Sequence, residues 1–543
     1  MSQQTATSPV TTRSQWPFLA TLAAALTLGL GAAAVAHAAD IFVNPTIQGS
    51  ADSQDCGTTF KPCKTIQFAI GKAAPGDTIH VEDGPYFEHL LIDKSLTIIG
   101  EPAGRVVDGA GGVGSVITVF AAATVVITGL TIQNGAAVGS EFDGGGIVNF
   151  GKVTINNCTV SNNSANKTGG GIANFGTVTL NNSTVSNNSA NTSGGGIVNF
   201  GNGTVTLNNS TVTNNAAGEG GGITNGPDGA LVFNSSTVAN NTAVQNGGGI
   251  ENFGTVSGTG GFIEGNLATV NGGGVDNHGT LDLGLSTVEG NSAGGDGGGV
   301  HNSGSVNLAA FTVKNNTAGG KGGNIFEKSS QTATLTNVTI SGGTAASGGG
   351  IGNAGTLNLN NVTITKNTAT TGDGGGIFND TGAVLNVRNM ILAGNTDTGG
   401  EAPDCAGTLT SQGHNLVGVN TGCTILAATG DLVGTGGSPI DPRLGPLANN
   451  GGSALSHALL AGSPAIDAGD PSPPGSGGTA CEATDQRGVT RPQGPRCDIG
   501  AFEAAPTIPQ RIPTLDGISQ LALVLLLAGA LGILTRSRAR PRL

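Results

Sequence analysis

The sequence predicts an all-β chain: a single-stranded parallel β-helix solenoid of about 25 residues per turn. Three observations predict it. A Gly-Gly-Gly-Ile/Val-x-Asn phrase recurs nine times between Gly144 and Asn395, with a tenth, worn copy, Gly-Gly-Asn-Ile-Phe, at Gly322, and most copies are answered by Val-x-x-Asn. A period of that length marks a solenoid, in which each unit buries its apolar face only against its neighbours. Within a unit such as Gly169 to Ala190, Val178 and Leu180 alternate with Thr177 and Thr179, the period-2 signature of a strand with one buried face. No window of the repeat unit carries the i, i+3, i+4 spacing of an amphipathic helix, and no leucine-rich frame recurs.

One unit reads as three short strands and three corners. Ile172 and Asn174 form one inward pair, Val178 and Leu180 a second, and Ser183 and Val185 a third, with turns at the glycines and at Asn181-Asn182. Corners at positive φ call for Gly or Asn. Asn149, Asn174, Asn199, Asn225, Asn252, Asn277, Asn302, Asn353 and Asn379 share one register and are expected to stack as a ladder of amides. The inward column Cys158, Ser183, Ser210, Ser236, Ser286, Phe311, Val338, Val362, Met390 drifts from small to large, which makes Cys158 a buried packing residue. With flanking turns, about 13 or 14 rungs are expected, roughly 65 Å of stack at ~4.8 Å per strand.

The segments follow in order. Residues 1–39 read as an export signal, with Arg13, an apolar run from Phe18 to Val35, and Ala36-His37-Ala38 as a small-residue cleavage site. Residues 40–135 are an N-terminal cap and first turns. They contain one helix, Lys64 to Ala74, then strands around Ile79 and Val81, Leu90 and Ile92, and Leu96 to Ile99. Residues 136–400 hold the regular repeats, and 401–504 a proline-rich region that cannot propagate a ladder and would blunt its open edge. Residues 505–543 are a linker and tail. Ile518 to Leu534 is apolar and is followed by Arg536, Arg538, Arg540 and Arg542, a short membrane span with its basic end in the cytoplasm. Export permits disulfides, and the seven cysteines offer three local pairs, Cys56 with Cys63, Cys405 with Cys423 and Cys481 with Cys497, besides Cys158.

Four resemblances accompany these readings. The phrases TIQFAIGKAAPGDTIHV and KSLTIIG resemble the start of pectin-lyase-like right-handed β-helix proteins, which implies a right-handed coil but no particular activity. The repeats resemble those of polymorphic outer-membrane proteins, with Gly as the third small residue and Val or Ile opening the second phrase, as in Val160-x-x-Asn163 and Ile263-x-x-Asn266. PDCAGTLTSQGHNLVG, SHALLAGSPAIDAGD and TDQRGVTRPQGPRCDIGAFE resemble a choice-of-anchor Q region. Ile512-Pro513-Thr514-Leu515 and the apolar tail resemble an IPTL-CTERM sorting signal, although Asp516-Gly517-Ile518 stands where that family usually has Trp. Together they imply an exported, surface-anchored protein, a membrane attachment through the tail and a sorting protease as partner.

Composition narrows the function. A net charge of −13 disfavours nucleic acid and anionic membrane surfaces. Aromatic residues make up 3%, with one Tyr and one Trp, so stacking platforms for sugars are scarce. The carboxylate and imidazole constellation to weigh is Glu251, Asp276 and His301, which occupy the x position of three successive repeats, with His278 and Asp282 nearby. Pointing outward and stacked one strand apart, they could hold a cation or form an acid/base pair; the plainer reading is a solvated face where Val148, Ala173, Thr224 and Gly352 also occur. On that reading Asp276→Ala would be silent. Asp143, Glu219, Asp296 and Asp373 before the glycines read as turn residues rather than a calcium roll. His457, Asp467, Asp485, Arg487, Arg491 and Asp498 read as an Arg-Asp network, and Gly413-His414-Asn415 lacks the carboxylates of a polygalacturonase. The expectation is a monomeric structural or adhesive rod with no catalytic, cofactor or metal site, possible contacts being extracellular polysaccharide or a neighbouring surface. The alternative is a lyase or epimerase acting on acidic glycans through the Glu251, Asp276, His301 column.

Overall fold

The computed structural model of the chain describes residues 38–110, 112–139, 144–506 and 526. Most of the expected signal with Ala36, Asp143, the Ile512-Pro513-Thr514-Leu515 phrase and all but one residue of the apolar tail lie outside that set. Among the described residues no helix is long and apolar enough to cross a membrane.

The described residues wind into a parallel β-solenoid of about 13 turns, close to 25 residues each. A typical turn is Ile172–Asn174, Thr177–Asn181, Thr184–Ser186 and Ser189–Ala190. Each strand pairs in register with its copy one turn away, Ile172 with Ile147 and Ile197, Val178 with Val153 and Val205. The fourth strand is an addition to the three expected. It is two residues long, in most turns Ser or Thr followed by Ala, too short for any periodicity to show, yet it builds its own parallel ladder from Ala136 to Asp397.

The interior is one column of Ile, Val and Leu, fully buried along its length. Two columns of asparagine run beside it. In the expected one, Asn149 Nδ2 donates to Asn174 Oδ1 at 2.8 Å, Asn174 to Asn199 at 2.8 Å, and so on to Asn302. The second is formed by the Val-x-x-Asn residues: Asn188 Nδ2 donates to Asn215 Oδ1 at 3.0 Å, while the backbone N–H of Asn188 donates to the same oxygen at 2.9 Å. The serines of the inward column do likewise, the N–H of Ser183 donating to Ser210 Oγ at 3.1 Å. Between them, Asn182 turns the corner at φ 49°, a left-handed conformation its short amide tolerates.

The degenerate repeat Gly-Gly-Asn-Ile-Phe has a specific reason. One turn later the second asparagine column meets Gly343 where Asn is expected. Asn324 fills the gap from the other side of the turn. Its Oδ1 accepts from Asn316 Nδ2 at 2.9 Å and its Nδ2 donates to Asn367 Oδ1 at 2.9 Å. A Cβ on Gly343 would lie 2.5 Å from Asn324 Nδ2, so the two departures from the repeat fit each other.

The N-terminal helix spans Ile66–Lys72, shorter at both ends than its apolar pattern. Thr65 caps it by accepting from Phe68 N–H, and Glu88 accepts from Ile66 and Gln67 at 2.9 and 2.8 Å, using up the free N–H groups that would have extended it. The strand Asp40–Val43 before it forms the first rung, paired with Thr78–Val81.

The region expected to blunt the open end does two other things. Cys405–Ser411 and Cys423–Leu426 continue the solenoid in register, and residues 442–504 bind its flank. Gln486 donates to Phe311 O at 3.1 Å and accepts from Thr339 Oγ1 at 2.5 Å, His457 meets Ser341 Oγ at 3.1 Å, and Glu482 accepts from Asn360 at 2.6 Å. All three expected cysteine pairs are bridged, and Cys158 is free and buried.

The two kinds of asparagine should differ in worth. Asn241→Ala removes the acceptor of two buried N–H donors of Asn215, and is expected to cost about 3 kcal/mol from ~1–3 per orphaned group. Asn208→Ala, in a half-exposed outer row, is expected to cost under about 0.5 kcal/mol; urea unfolding of both variants checks the contrast.

Glu327 replaces Asn in the first column, accepting from Asn302 Nδ2 at 2.7 Å and from Ser329 N–H at 2.7 Å. Burial pushes its carboxyl up from 4.5 to about 7 against those hydrogen bonds. The unfolded chain therefore loses this proton first, and the group's contribution to stability falls as pH rises from 4.5 to about 7 and is level above. Unfolding midpoints of Glu327→Gln relative to the parent should climb across that window and then plateau; a pH-independent difference would contradict the assignment.

Candidate functional site

In each Ile-x-Asn strand the Ile and Asn face inward and x faces out, yet x is not in solvent. The triglycine arc before it turns at positive φ, +63° at Gly272 and +67° at Gly297, and folds down on the x residue. A Cβ on Gly272 would lie 2.6 Å from the Asp276 nitrogen, and one on Gly297 2.6 Å from the His301 Cα, so only glycine permits this approach. On the other side stands a column of rings two residues after x. Phe150, Phe175 and Phe200 stack at 5.0 and 4.7 Å, and Phe253 stacks on His278 at 5.0 Å. Between arc and rings the x residues line a narrow seam, packed with Val148, Ala173 and Val198 in the early turns.

Glu251, Asp276 and His301 are consecutive in register within that seam, as their spacing implied. The expectation of a solvated face fails, because they are 1%, 1% and 4% exposed. The residue that joins them is His278, in the ring column. Its Nε2 lies 3.4 Å from Glu251 Oε1 and 3.5 Å from Asp276 Oδ1, with its ring edge reaching solvent. His301 Nδ1 lies 2.7 Å from Asp276 Oδ1, and its ring stacks on Phe326 at 5.5 Å. Glu251 Oε2 is buried with no hydrogen-bond partner among the described residues.

Electrostatics separate the two carboxyls. Burial drives Glu251 up to about 7, opposed by His278. Burial also raises Asp276, but hydrogen bonds from His278 and His301 outweigh it and hold this carboxyl below its ordinary range. Asp276 and Glu251 together lift His278 to about 10, so it is a cation at neutral pH. The arrangement is a buried anion clamped by two imidazoles, with a second carboxyl poised near neutrality. It can bind a cation or trade a proton between Glu251 and His278. Of the four side chains, only His278 reaches the surface.

The other candidates fall elsewhere. Asp282 is exposed on the five-residue ladder, bonded to Asn307 at 2.9 Å, and takes no part in the cluster. Glu219 accepts Thr224 Oγ1 at its carbonyl, and Asp296 holds the N–H of Lys321 at 2.7 Å, both as turn residues. In the flank-binding region Arg491 pairs with Glu503 at 2.8 Å and donates to Asp498 O and Gly500 O. Arg487 forks onto Asp485 and lies 3.6 Å over the Phe502 ring. Asp498 holds Asp467 N–H at 2.7 Å, and burial raises its carboxyl to about 6. His457, which burial keeps neutral, bridges Gly445 O and Ser341, while His414 bonds Ala468 O at 3.0 Å. Gln486 and Glu503 are central here and carry no sequence signal of their own.

No protein-family model and no curated protein matches the chain. Among solved structures, a complex of XylC with xylose is similar at 11% identity and a TM-score of 0.42, covering 85% of this chain and 98% of that one. The crystal structure of pectate lyase Pel9A is similar at 14% identity and a TM-score of 0.33, covering 86% and 96%. Likeness at that level carries no argument about activity, and the solenoid rests on its own ladders.

Asp276→Ala, silent on a solvated face, is instead expected to destabilise by about 3 kcal/mol, since it leaves the buried His301 unpaired and takes from His278 one of its two carboxylates. Asp282→Ala should change stability by less than about 0.5 kcal/mol, and chemical unfolding of the pair distinguishes seam from surface.

Proposed function

We propose that this is an exported cell-envelope protein whose solenoid serves as a structural or adhesive rod rather than as a glycan-cleaving enzyme. The observation that supports it best is the burial of Glu251 and Asp276, each 1% exposed, beneath an arc of glycine packed closely against them. A lyase or hydrolase must bring both an acid and a base against a sugar ring, and here His278 alone is within reach. Paired asparagine columns, three disulfides and a flank-bound C-terminal region are devices for rigidity and persistence outside the cell. In this reading residues 1–39 direct export, a right-handed coil follows as in pectin-lyase-like proteins, residues 401–504 act as a choice-of-anchor region, and the tail from Ile512 anchors the rod or is processed by a sorting protease. Its contacts are with extracellular polysaccharide or a neighbouring surface.

The test is a product assay. Purified chain is incubated with acidic and neutral polysaccharides, with and without calcium, and new reducing ends and unsaturated sugars are measured. No product from any substrate is expected. Product that disappears in a folded Asp276→Asn chain would replace this reading with a polysaccharide lyase or epimerase.

A further inference from the structure

We propose that Glu251, Asp276 and His278 form a binding site for one divalent transition-metal ion, zinc fitting best, which staples two successive turns of the solenoid. One ligand atom from each residue lies within 4.8 Å of the others. The separations themselves point to a metal. His278 Nε2 stands 3.4 Å from Glu251 Oε1 and 3.5 Å from Asp276 Oδ1, long for charged hydrogen bonds, whose usual length is ~2.7–2.9 Å. They match the ~3.4 Å edge of a tetrahedral shell whose metal–ligand bonds are ~2.0–2.1 Å.

Glu251 supplies the independent observation. It is 1% exposed and its Oε2 has no hydrogen-bond partner among the described residues. A buried carboxylate held by one long contact is under-coordinated, and a divalent ion is the occupant that satisfies both carboxylates at once. The surroundings are those of a metal centre. His301 Nδ1 at 2.7 Å from Asp276 Oδ1 orients that carboxylate, and the Phe253 ring fixes the plane of His278 by stacking 9° from parallel. His278 has its ring edge at the surface, which gives an entry path and leaves a fourth position for water. An imidazole with two carboxylates selects zinc or a similar ion over calcium, which takes six to eight oxygens. Coordination displaces the proton of His278 to solvent. The bonds join the turn of Glu251 to the turn of Asp276 and His278, so the role is to lock the stack where the seam changes from apolar to charged. The inference does not depend on the envelope reading.

The experiment strips the full-length chain with chelator, reloads it with zinc, removes free ion by gel filtration and counts metal per chain. One equivalent of zinc is expected, with a raised unfolding midpoint and, for cobalt in place of zinc, the visible absorption of a low-coordinate site. His278→Gln, a change at the surface edge, should weaken zinc binding at least about tenfold, as should Glu251→Gln, which keeps shape and removes charge. His80→Gln tests the separate cluster of His80, Asp40 and Glu101 and should retain the ion. Absence of retained zinc and of a cobalt spectrum in the parent chain would overturn the proposal. So would retention in both seam variants, or loss in His80→Gln alone.

Discussion

The structure depends on one constraint: a parallel, in-register stack sets every residue against its own copy. An apolar column meets that condition at once. A buried polar column does so only if the side chain both donates and accepts along the stack, and among short side chains the amide of asparagine does this best. Inside an unbroken run, each Asn gives Nδ2 to the following rung and takes a donor from the preceding one. The direction of donation also fixes how a column can end. The last member need only accept, and the second column ends on Asp404, whose Oδ1 takes the side chain and N–H of Asn395 at 3.0 and 3.1 Å. Glu327 accepts from Asn302 in the same way, and the column resumes at Asn353, which donates to Asn379 at 2.7 Å. Carboxylates thus stand where donation stops.

That constraint explains what could be read from the sequence. Columns related by the repeat are visible because their members recur at one spacing, so the strands, the inward serines and the first asparagine ladder could be placed without coordinates. The exchange of Asn324 for the missing Asn at Gly343 was not visible. It joins two residues at different phases of the repeat, and read singly each is only a worn copy.

The flank-bound region was illegible for a related reason. Thr184, Thr312, Thr339 and Thr363 hold the same position in their turns, and the letter does not change where residues 442–504 cover them. Thr184 is half-buried in the bare solenoid, whereas Thr312 and Thr339 are 0% exposed and Thr363 is 2% exposed beneath the covering segment. A hydroxyl serves both states, open to solvent in one and accepting from Gln486 or the Ala501 N–H in the other. A residue that satisfies two environments cannot announce which it occupies. Proline and disulfide loops likewise indicate only that a segment leaves the ladder, not that it returns along the side.

The seam shows the converse. Its x positions carry no hydrogen bond that the stack requires, so they are free to vary, and they change in blocks: Val148, Ala173 and Val198, then, after Thr224, Glu251, Asp276 and His301, then Phe326. Alignment of the middle block was legible, because register follows from the repeat. Its burial was not, because that comes from the triglycine arc, whose lack of Cβ atoms lets backbone close over the column. His278 was placed only as a neighbour, since it belongs to the ring column, where Phe is the rule and His preserves the stacking on Phe253. The same stacking logic that spreads an apolar seam over many turns therefore concentrates four ionisable groups within two or three. Like neighbours are forced together by register, and a charged block in a column has nowhere to disperse.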